Sequence, residues 1–320
     1  MNNISPLRYP GGKAKFSKLL EKIIEQLDSP VKTFIEPFCG GAGAALELLA
    51  HNKVNSIALN DIDPMVCAFW RIVFGKSGQP EHQCQFDFQW LLDSIMETPV
   101  TMEHWDLQKA LKPSNMREMA FKFIFLNRTS FNGIVHRAGP IGGRKQIGTN
   151  KIDCRFNPIK ICKQLAFLWN LRDRVKSVEN ESWKTFIGKF TKKSDLIYFD
   201  PPYFYKANLL YGHYFDTDAH KELRDHLQEL NNQPWLLSYD DAKEIRDFYS
   251  SFESNGMVID KTYSTSNNNG TGYIGREIIY SNFHQNHQSE ITMNKHKTIS
   301  VVGSIKDVAS IQQKRMFECR

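Results

Sequence analysis

Four consecutive residues, Asp200-Pro201-Pro202-Tyr203, combine the groups best suited to chemistry in this chain. They directly follow the apolar run Leu196–Phe199, which is typical of a buried strand. Prolines have no backbone N–H and fix φ, so the neighbouring carbonyls are left to accept hydrogen bonds from a ligand amine. Tyr203 adds a flat face for stacking. The site suits a planar base with an exocyclic amino group, although a Pro-Pro turn that only closes a strand explains an isolated tetrapeptide equally well.

A glycine-rich turn far upstream of this tetrapeptide could hold a cofactor. Gly40-Gly41-Ala42-Gly43 follows the predicted strand Val31–Glu36, and the next predicted strand, Ser56–Leu59, ends at Asn60-Asp61. A nucleotide-binding α/β sheet begins with this order of elements: a strand, a glycine turn, a helix, a second strand and an acidic residue. The glycines suit either a dinucleotide pyrophosphate or the amino-acid moiety of S-adenosylmethionine.

Two residues near this turn help to separate those cofactors. In a G-x-G-x-x-G frame that starts at Gly41, the sixth position is Leu46, where close helix packing requires Gly or Ala. This counts against a nicotinamide-dependent dehydrogenase. Asp61 stands at a strand end, where its carboxylate can accept both ribose hydroxyls of an adenosine. Its alternative role is the N-cap of a helix that begins at Pro64.

The elements that must position these residues alternate along the chain. Helical spacing of apolar residues predicts a first helix over Lys15–Leu27. Amphipathic stretches over Ala219–Leu230 and Asp241–Phe252 indicate later helices. Further strands are predicted at Lys176–Glu179, Leu196–Phe199, Trp235–Ser238, Met257–Tyr263 and Glu277–Ser281. This alternation predicts an α/β fold with a doubly wound, mostly parallel sheet.

The alternation stops between Lys76 and Pro158, where helical patches precede a loop rich in Gly, Asn, Arg and Lys. Within this loop, the Asn132-Gly133 pair is a strong hairpin signal. We therefore expect an inserted domain. The expected division is a catalytic domain over residues 1–75 and 159–283, an inserted, mainly helical domain over 76–158, and a C-terminal extension over 284–320 without an assigned role.

Composition limits the possible functions. With 320 residues, 41% of them hydrophobic, the chain can bury a sizeable core, and its formal charge of +6 permits a polyanionic partner without establishing one. Six scattered cysteines without a C-x-x-C pair, and ten histidines without ligand spacing, argue against disulfides and metal sites. No run of about 18 apolar residues occurs. We expect a cytoplasmic protein with no metal and no membrane partner.

Taken in order, the motifs resemble those of the Dam-like (D12 class) DNA adenine-N6 methyltransferases, over roughly Leu7 to Phe283. The motifs that carry the resemblance are Pro10-Gly11-Gly12-Lys13, Phe38-Cys39-Gly40-Gly41-Ala42-Gly43, Asn60-Asp61-Ile62-Asp63, Asn127–Gly133 and Asp200-Pro201-Pro202-Tyr203, with weaker echoes at Leu237–Asp241 and Glu277–Asn282. The resemblance implies a Rossmann-like methyltransferase with an inserted target-recognition domain.

The activity implied is transfer of a methyl group from S-adenosylmethionine to the exocyclic amino group of adenine in duplex DNA. Such an enzyme is either solitary or part of a restriction–modification system. Because the amino lone pair of adenine is delocalised into the ring, hydrogen bonds from its protons to Asp200 and to the Pro201 carbonyl would favour a pyramidal nitrogen. The catalytic residues expected from the resemblance are Asp200, Pro201, Pro202 and Tyr203, with Tyr203 stacked on the base.

The resemblance also implies a cofactor site drawn from several segments. Before the first helix, backbone N–H groups and a lysine could meet a carboxylate. Ser182 follows a strand that borders the cofactor adenine in this fold, and Phe38 either contacts the cofactor or packs beneath it. The expected cofactor-binding residues are Pro10, Gly11, Gly12, Lys13, Phe38, Gly40, Gly41, Gly43, Asp61, Ser182 and Asp200.

A base inside a duplex cannot reach such a pocket, so base flipping is implied, at a cost of roughly a few kcal/mol. In the family, a hairpin of the insertion enters the DNA. Phe131 and Asn132 could fill the gap left by the base, and guanidinium groups could bind guanine or phosphate. The expected DNA-binding residues are Arg128, Phe131, Asn132, Arg137 and Arg144.

Three other functions stay open on the sequence. The acceptor could be the amino group of cytosine or an RNA adenine, although the leading Asp of the tetrapeptide favours adenine because relatives that act on cytosine more often begin with Ser. The chain could instead be a nucleic-acid-binding module that keeps the scaffold without catalysis. A dehydrogenase is the remaining alternative at the level of the fold.

Overall fold

The computed structural model describes residues 4–9, 11–204, 215–263, 273–284 and 299–305. The described residues fall into two compact units. The first unit contains residues 4–9, 11–17 and 33–190, and the second contains residues 18–32, 191–204, 215–263, 273–284 and 299–305.

Three parallel strands form the sheet of the first unit. They are β1 (Thr33–Glu36), β2 (Ser56–Asn60) and β3 (Val175–Glu179), in the order β3-β2-β1. All four residues of β1 are buried, as expected for a parallel strand covered on both faces. Because parallel strands run in the same direction, their carboxyl ends lie at one edge, which is where such sheets bind ligands.

Helices surround these strands in the first unit. They are α2 (Gly43–Ala50), α3 (Pro64–Val73), α4 (Glu81–Glu97), α5 (Met102–Ala110), α6 (Met116–Thr129), α7 (Pro158–Trp169) and α8 (Trp183–Ile187). Aromatic pairs join the helices of the predicted insertion to their neighbours: Phe123 of α6 lies 5.7 Å from Phe69 of α3, and Phe88 of α4 lies 4.4 Å from Trp169 of α7, measured between ring centroids. The domain boundaries at 76 and 158 stay a prediction.

The second unit has a mixed set of strands. They are β4 (Asp195–Phe199), β5 (Trp235–Asp240), β6 (Met257–Tyr263), β7 (Tyr273–Ser281) and β8 (Ile299–Ser304), in the order β4-β5-β7-β6-β8. Strands β4 and β5 are parallel, whereas the pairs β5–β7, β7–β6 and β6–β8 are antiparallel. The helices are α9 (Thr217–Glu229) and α10 (Lys243–Phe248), and α1 (Ser17–Ile24) follows a 3₁₀ turn over Lys13–Phe16.

The α/β class predicted from the sequence is confirmed, and most predicted strands agree with the observed ones to within two residues. The pairs β1–β2, β2–β3 and β4–β5 are parallel, in keeping with the mostly parallel sheet predicted, and the strands after β5 pair in antiparallel fashion. One element was not predicted: β8 lies within the C-terminal extension. The strand contains the β-branched residues Ile299, Val301 and Val302 within an otherwise polar extension, and it pairs with β6 through the backbone.

No helix in the described part of the chain is both long and apolar enough to cross a membrane. Across the same ranges, no group of three or more His, Cys, Asp or Glu side chains is placed to hold a metal ion.

Candidate active site

The glycine turn after β1 is shaped by close contact with the N-terminal segment. Gly40 has φ +43°, and a Cβ atom placed there would lie 2.5 Å from the ring of Tyr9. At Gly43 an added Cβ would lie 2.8 Å from the backbone nitrogen of Ala14. Ala42, between them, also adopts a left-handed conformation with φ +48°. At Gly40 and Gly43 the turn therefore has room only for glycine, because it packs against the segment before the first helix.

Asp61 holds this turn from the end of β2. Its carboxylate accepts hydrogen bonds from the backbone N–H of Gly40 at 2.8 Å and of Asp63 at 3.0 Å. Burial raises the pKa of Asp61 to about 6, and the two N–H donors only partly offset this effect. A strand-end carboxylate beside a glycine turn matches the donors of an adenosine ribose, so these residues fit the cofactor expected from the sequence.

Asn60 joins the ends of all three strands of the first unit. Its side-chain amide donates to the carbonyls of Pro37 at 2.9 Å and Glu181 at 3.1 Å, and its Oδ1 accepts from the Glu181 N–H at 3.1 Å. The amide thereby links the segments after β1, β2 and β3 by hydrogen bonds. These segments contain the predicted cofactor residues Phe38, Gly40, Asp61 and Ser182.

Phe38 and Ser182 each have an observed local contact. The ring centroid of Phe38 lies 6.5 Å from that of Trp183, the first residue of α8. Ser182 is the N-cap of α8, where its hydroxyl accepts the Thr185 N–H at 3.2 Å. A cap of this kind contributes about 1 kcal/mol to helix stability. Cofactor contacts by these two side chains stay predictions.

The predicted Pro-Gly-Gly-Lys motif lies before helix α1. Pro10 lies outside the described residues. Gly11 has φ +77°, and the Gly12 N–H donates to the Tyr9 carbonyl at 3.0 Å, so the motif forms a tight turn. Lys13 is buried, with its ammonium 5.5 Å from the centre of the Phe16 ring. A role for this turn in cofactor binding stays a prediction.

In the second unit, Asp200 is the residue that follows β4. Its Oδ1 accepts a hydrogen bond from the hydroxyl of Ser238 on β5 at 3.0 Å, and the Ser238 Oγ lies 2.9 Å from the hydroxyl of Tyr198. Pro201 is buried and Pro202 is half-buried. The carboxylate therefore stands at the carboxyl end of a strand with its orientation set by a neighbouring strand.

Tyr203 is buried and does not present a freely exposed ring for stacking. Only 8% of the residue is accessible, and its hydroxyl donates to Oε1 of the buried Glu277 on β7 at 3.2 Å. The next residue, Phe204, donates its backbone N–H to Asp240 of β5 at 3.3 Å. Carboxylates on β5 and β7 thus anchor the segment that follows the prolines, while stacking by Tyr203 stays a prediction.

Comparison with known proteins assigns the chain to a family. Residues 9–265 match the family model of the D12 class N6 adenine-specific DNA methyltransferases. The chain belongs to this family. Among curated proteins, it is 25% identical over 198 residues to the type II methyltransferase M.CviBI of Paramecium bursaria Chlorella virus NC1A, covering 62% of this chain and 68% of that protein. It is 22% identical over 204 residues to the type II methyltransferase M.MjaIII of Methanocaldococcus jannaschii, with the same coverage of 62% and 68%.

A solved structure is also similar to this D12 class protein. It is the crystal structure of SMU.472, for which a methyltransferase role has been put forward, complexed with S-adenosylhomocysteine. The similarity has a TM-score of 0.31 and 13% sequence identity, and covers 84% of this chain and 53% of the other. This chain therefore spans about half the length of that protein, and the similarity adds nothing to the assignment.

The loop over residues 130–140, in which the resemblance places DNA recognition (the recognition loop), is not the two-residue hairpin that Asn132-Gly133 predicts. Residues 127–129 end helix α6, and Phe131–Gly133 form a 3₁₀ turn in which Asn132 has φ +55°. The loop is closed further along, where Ser130 pairs with Pro140 and the Phe131 N–H donates to the Gly139 carbonyl at 2.9 Å. The helical pattern of α6 runs through Thr129, and this overrides the local turn signal.

The predicted DNA-binding residues differ in exposure. Phe131 is 60% exposed, and Asn132 and Arg137 are exposed beside it. Arg144 is exposed but makes a bidentate ion pair with Asp106. Arg128 is directed inward, because its guanidinium donates to the carbonyls of Arg155 at 2.7 Å and Pro6 at 3.2 Å. The predicted residues other than Arg128 are therefore accessible on the surface of the first unit, whereas Arg128 is held by backbone carbonyls.

Burial, together with the positive charges of Arg8 and Arg155, lowers the pKa of Arg128 to about 10. The guanidinium stays protonated at neutral pH. The DNA-binding role of Arg128 stays a prediction, and its observed contacts are to backbone carbonyls.

Three residues, Asn127, Gly133 and His136, have structural contacts around the loop that the sequence did not predict. Asn127 is fully buried, and its amide bonds both the N–H and the carbonyl of Arg8 as well as the Gly133 carbonyl. Gly133 has φ +75°, and a Cβ atom there would lie 1.8 Å from the Arg8 carbonyl oxygen, so only glycine fits. His136 pairs with Asp63, the N-cap of α3, at 2.6 Å. A single sequence does not indicate these contacts, because Arg8 lies 119 residues from Asn127 and Asp63 lies 73 residues from His136.

Proposed function

We propose that this protein is a site-specific DNA methyltransferase that transfers a methyl group to N6 of a flipped adenine in duplex DNA. The observation that carries the proposal is the Asp200 carboxylate at the end of β4, oriented by Ser238 and followed by two prolines. Membership of the D12 class family supports adenine as the acceptor and DNA as the substrate.

S-adenosylmethionine, when bound, supplies the sulfonium methyl group to which the adenine nitrogen becomes bonded, and leaves as a neutral thioether. The residues proposed to hold it are the turn at Gly40, Gly41 and Gly43, the carboxylate of Asp61, and the segments at Phe38 and Ser182. The carboxylate of Asp61 accepts the ribose hydroxyls, and the glycine turn lets backbone approach closely. Gly11, Gly12 and Lys13 are proposed to receive its carboxylate.

Asp200 and the Pro201 carbonyl are proposed to accept the two protons of the adenine amino group. Hydrogen bonds to these acceptors favour a pyramidal nitrogen, whose lone pair is then available for bond formation. No strong base is required first, because the proton is lost after the new N–C bond has formed. Orientation of the nitrogen can contribute roughly 7–11 kcal/mol to lowering the barrier. Tyr203, fixed by Glu277, is proposed to stack on the flipped base.

Phe131 and Asn132 are proposed to occupy the space that the flipped base vacates, since both project from the recognition loop. Arg137 and Arg144 are proposed to contact the bases or backbone around it. Arg128 is proposed to contribute to DNA binding by supporting the recognition loop and by its positive charge.

A sequencing experiment tests the proposed function. The chain is expressed in a host that lacks DNA methylation, and modified bases are then mapped across the genome at single-nucleotide resolution. We expect N6-methyladenine at a recurring short site. Methylcytosine at such a site, methylated RNA with unmodified DNA, or no modification by a protein that binds S-adenosylmethionine would each contradict the proposal.

We further propose that the enzyme acts in the cytoplasm as the modification partner of a restriction endonuclease, because the two curated relatives are type II methyltransferases. Plasmid methylated by this chain should resist cleavage by extract of the source cell, while unmethylated plasmid is cut at the mapped site. Equal resistance of both plasmids would indicate a solitary enzyme.

A further inference from the structure

A chain of buried hydroxyl groups ends on the Asp200 carboxylate. Tyr198 lies on β4 and is 1% exposed, and Ser238 lies on β5 and is fully buried. The hydroxyls of these two residues lie 2.9 Å apart, and Ser238 donates to Asp200 Oδ1 at 3.0 Å. Below, "the hydroxyl relay" means Tyr198, Ser238 and Asp200.

The register of the two strands places the three side chains together. Ile197, Tyr198 and Phe199 pair with Trp235, Leu236 and Leu237 in parallel. Continued by one residue, this register sets Asp200 opposite Ser238. Because side chains alternate between the two faces of a strand, Tyr198 and Asp200 point to the same face, and Ser238 lies on that face between them. The relay is thus fixed by backbone pairing.

The number of hydroxyl protons determines which group donates in each hydrogen bond of the relay. A serine hydroxyl carries one proton, and Ser238 donates it to the carboxylate. The hydrogen bond between Tyr198 and Ser238 must then be donated by the tyrosine. With its acceptor position filled in this way, Ser238 keeps its proton directed at Asp200, and both hydrogen bonds gain strength from their buried surroundings.

We propose that Ser238 and Tyr198 are positioning residues for methyl transfer, which hold the Asp200 carboxylate in the orientation that receives the amino group of the acceptor base. This inference rests on the proposed function. The relay acts on the rate of the chemical step and leaves the affinities for S-adenosylmethionine and DNA unchanged, because neither hydroxyl reaches a substrate.

The test uses single-turnover methyl transfer from labelled S-adenosylmethionine to unmethylated DNA that carries the mapped site. Ser238→Ala is expected to slow transfer about 10- to 100-fold, the usual effect of losing a hydrogen bond to a charged group. Tyr198→Phe is expected to slow it about 2- to 10-fold, since a neutral hydrogen bond is lost. The dissociation constants for cofactor and DNA should stay within twofold of the wild-type values in both variants.

A double variant separates a relay from two independent packing effects. Because Tyr198 acts through Ser238, Tyr198→Phe should have no further effect on the rate of the Ser238→Ala protein. The matched control is Tyr280→Phe on β7: this tyrosine is also fully buried, and its hydroxyl has no hydrogen-bond partner among the described residues. The control is expected to keep the wild-type rate.

Four outcomes decide the inference. Slow single variants with a non-additive double variant support the relay. A wild-type rate in Ser238→Ala would overturn the relay alone, as would additive losses in the double variant. If the wild-type protein binds cofactor and DNA but transfers no methyl group, the proposed function fails, and the relay fails with it.

Discussion

The residues proposed to bind the cofactor (the cofactor side) lie in the first unit, and those proposed to receive the acceptor base (the acceptor side) lie in the second. Each set contains an aspartate at the end of a parallel strand, but the two aspartates are held by different means. In the first unit, Asp61 accepts two backbone N–H groups of the turn and loop around it. In the second unit, Asp200 is oriented by a side-chain hydroxyl from the neighbouring strand. We therefore expect backbone shape to matter most on the cofactor side and side-chain hydrogen bonds to matter most on the acceptor side. The two sides should consequently respond to different substitutions.

The largest effect is expected on the acceptor side. Asp200→Ala removes the carboxylate that accepts the amino protons, so methyl transfer should fall at least about 100-fold while cofactor affinity stays the same. Radiolabel transfer and calorimetric titration with S-adenosylmethionine measure the two quantities. Asp225→Ala, which removes a carboxylate 61% exposed on α9, is the control and should behave as wild type. Retained turnover in the Asp200 variant would remove this residue from the mechanism.

The cofactor side should be sensitive to backbone shape. Gly40→Ala forces a methyl group against Tyr9 in a left-handed turn, and should lower the free energy of unfolding by about 1–3 kcal/mol. The distorted turn should also weaken cofactor binding about tenfold or more. Gly139→Ala, where no atom lies within 4 Å of the added carbon, should leave both unchanged. If the Gly40 variant binds cofactor as tightly as wild type, the turn is not part of the binding site.

Cofactor affinity should depend on pH through Asp61. The pKa of this group is raised to about 6 by burial, and only the charged form accepts both ribose hydroxyls. The dissociation constant for S-adenosylmethionine should be constant above pH 6 and rise up to about tenfold per pH unit below it, because a proton must then be lost on binding. Asp61→Asn should bind weakly at every pH. A wild-type affinity that is flat between pH 5 and 7 would contradict this role.

The smallest effect is expected at Ser182, whose hydroxyl caps α8. Ser182→Ala should lower the free energy of unfolding by about 1 kcal/mol, whereas Ser182→Asp keeps a capping acceptor and should not. Because the hydroxyl is engaged in the cap, the Ser182 segment is proposed to hold the cofactor through its backbone, and we expect cofactor affinity to change less than threefold in both variants. A larger loss in both would mean that the hydroxyl also binds the cofactor.

The sequence predicted what depends on local pattern. Asp61 and Asp200 could be placed at strand ends because buried apolar runs precede them, and the glycine turn was evident from its composition. The motif Leu237–Asp241 contains Ser238 but does not by itself indicate a role for it. Its contact with Asp200 depends on the register between β4 and β5, which a single sequence does not specify.

Contacts between distant segments account for the remaining differences. The inward orientation of Arg128 is set by the carbonyls of Pro6 and Arg155, and Asn127 is held by Arg8. The Asn132-Gly133 pair forms a 3₁₀ turn because the preceding helix and the Arg8 carbonyl determine its backbone. In each case tertiary packing overrides local preference.

The central claim is that Asp200 receives the amino group of adenine, and nucleoside analysis tests it most directly. Unmethylated DNA is incubated with S-adenosylmethionine and either the wild-type protein or the Asp200→Ala variant, digested to nucleosides and analysed by mass spectrometry. We predict N6-methyldeoxyadenosine with the wild-type protein and a loss of at least about 100-fold with the variant. Methylated cytosine with the wild-type protein, or undiminished methyladenine with the variant, would contradict the claim.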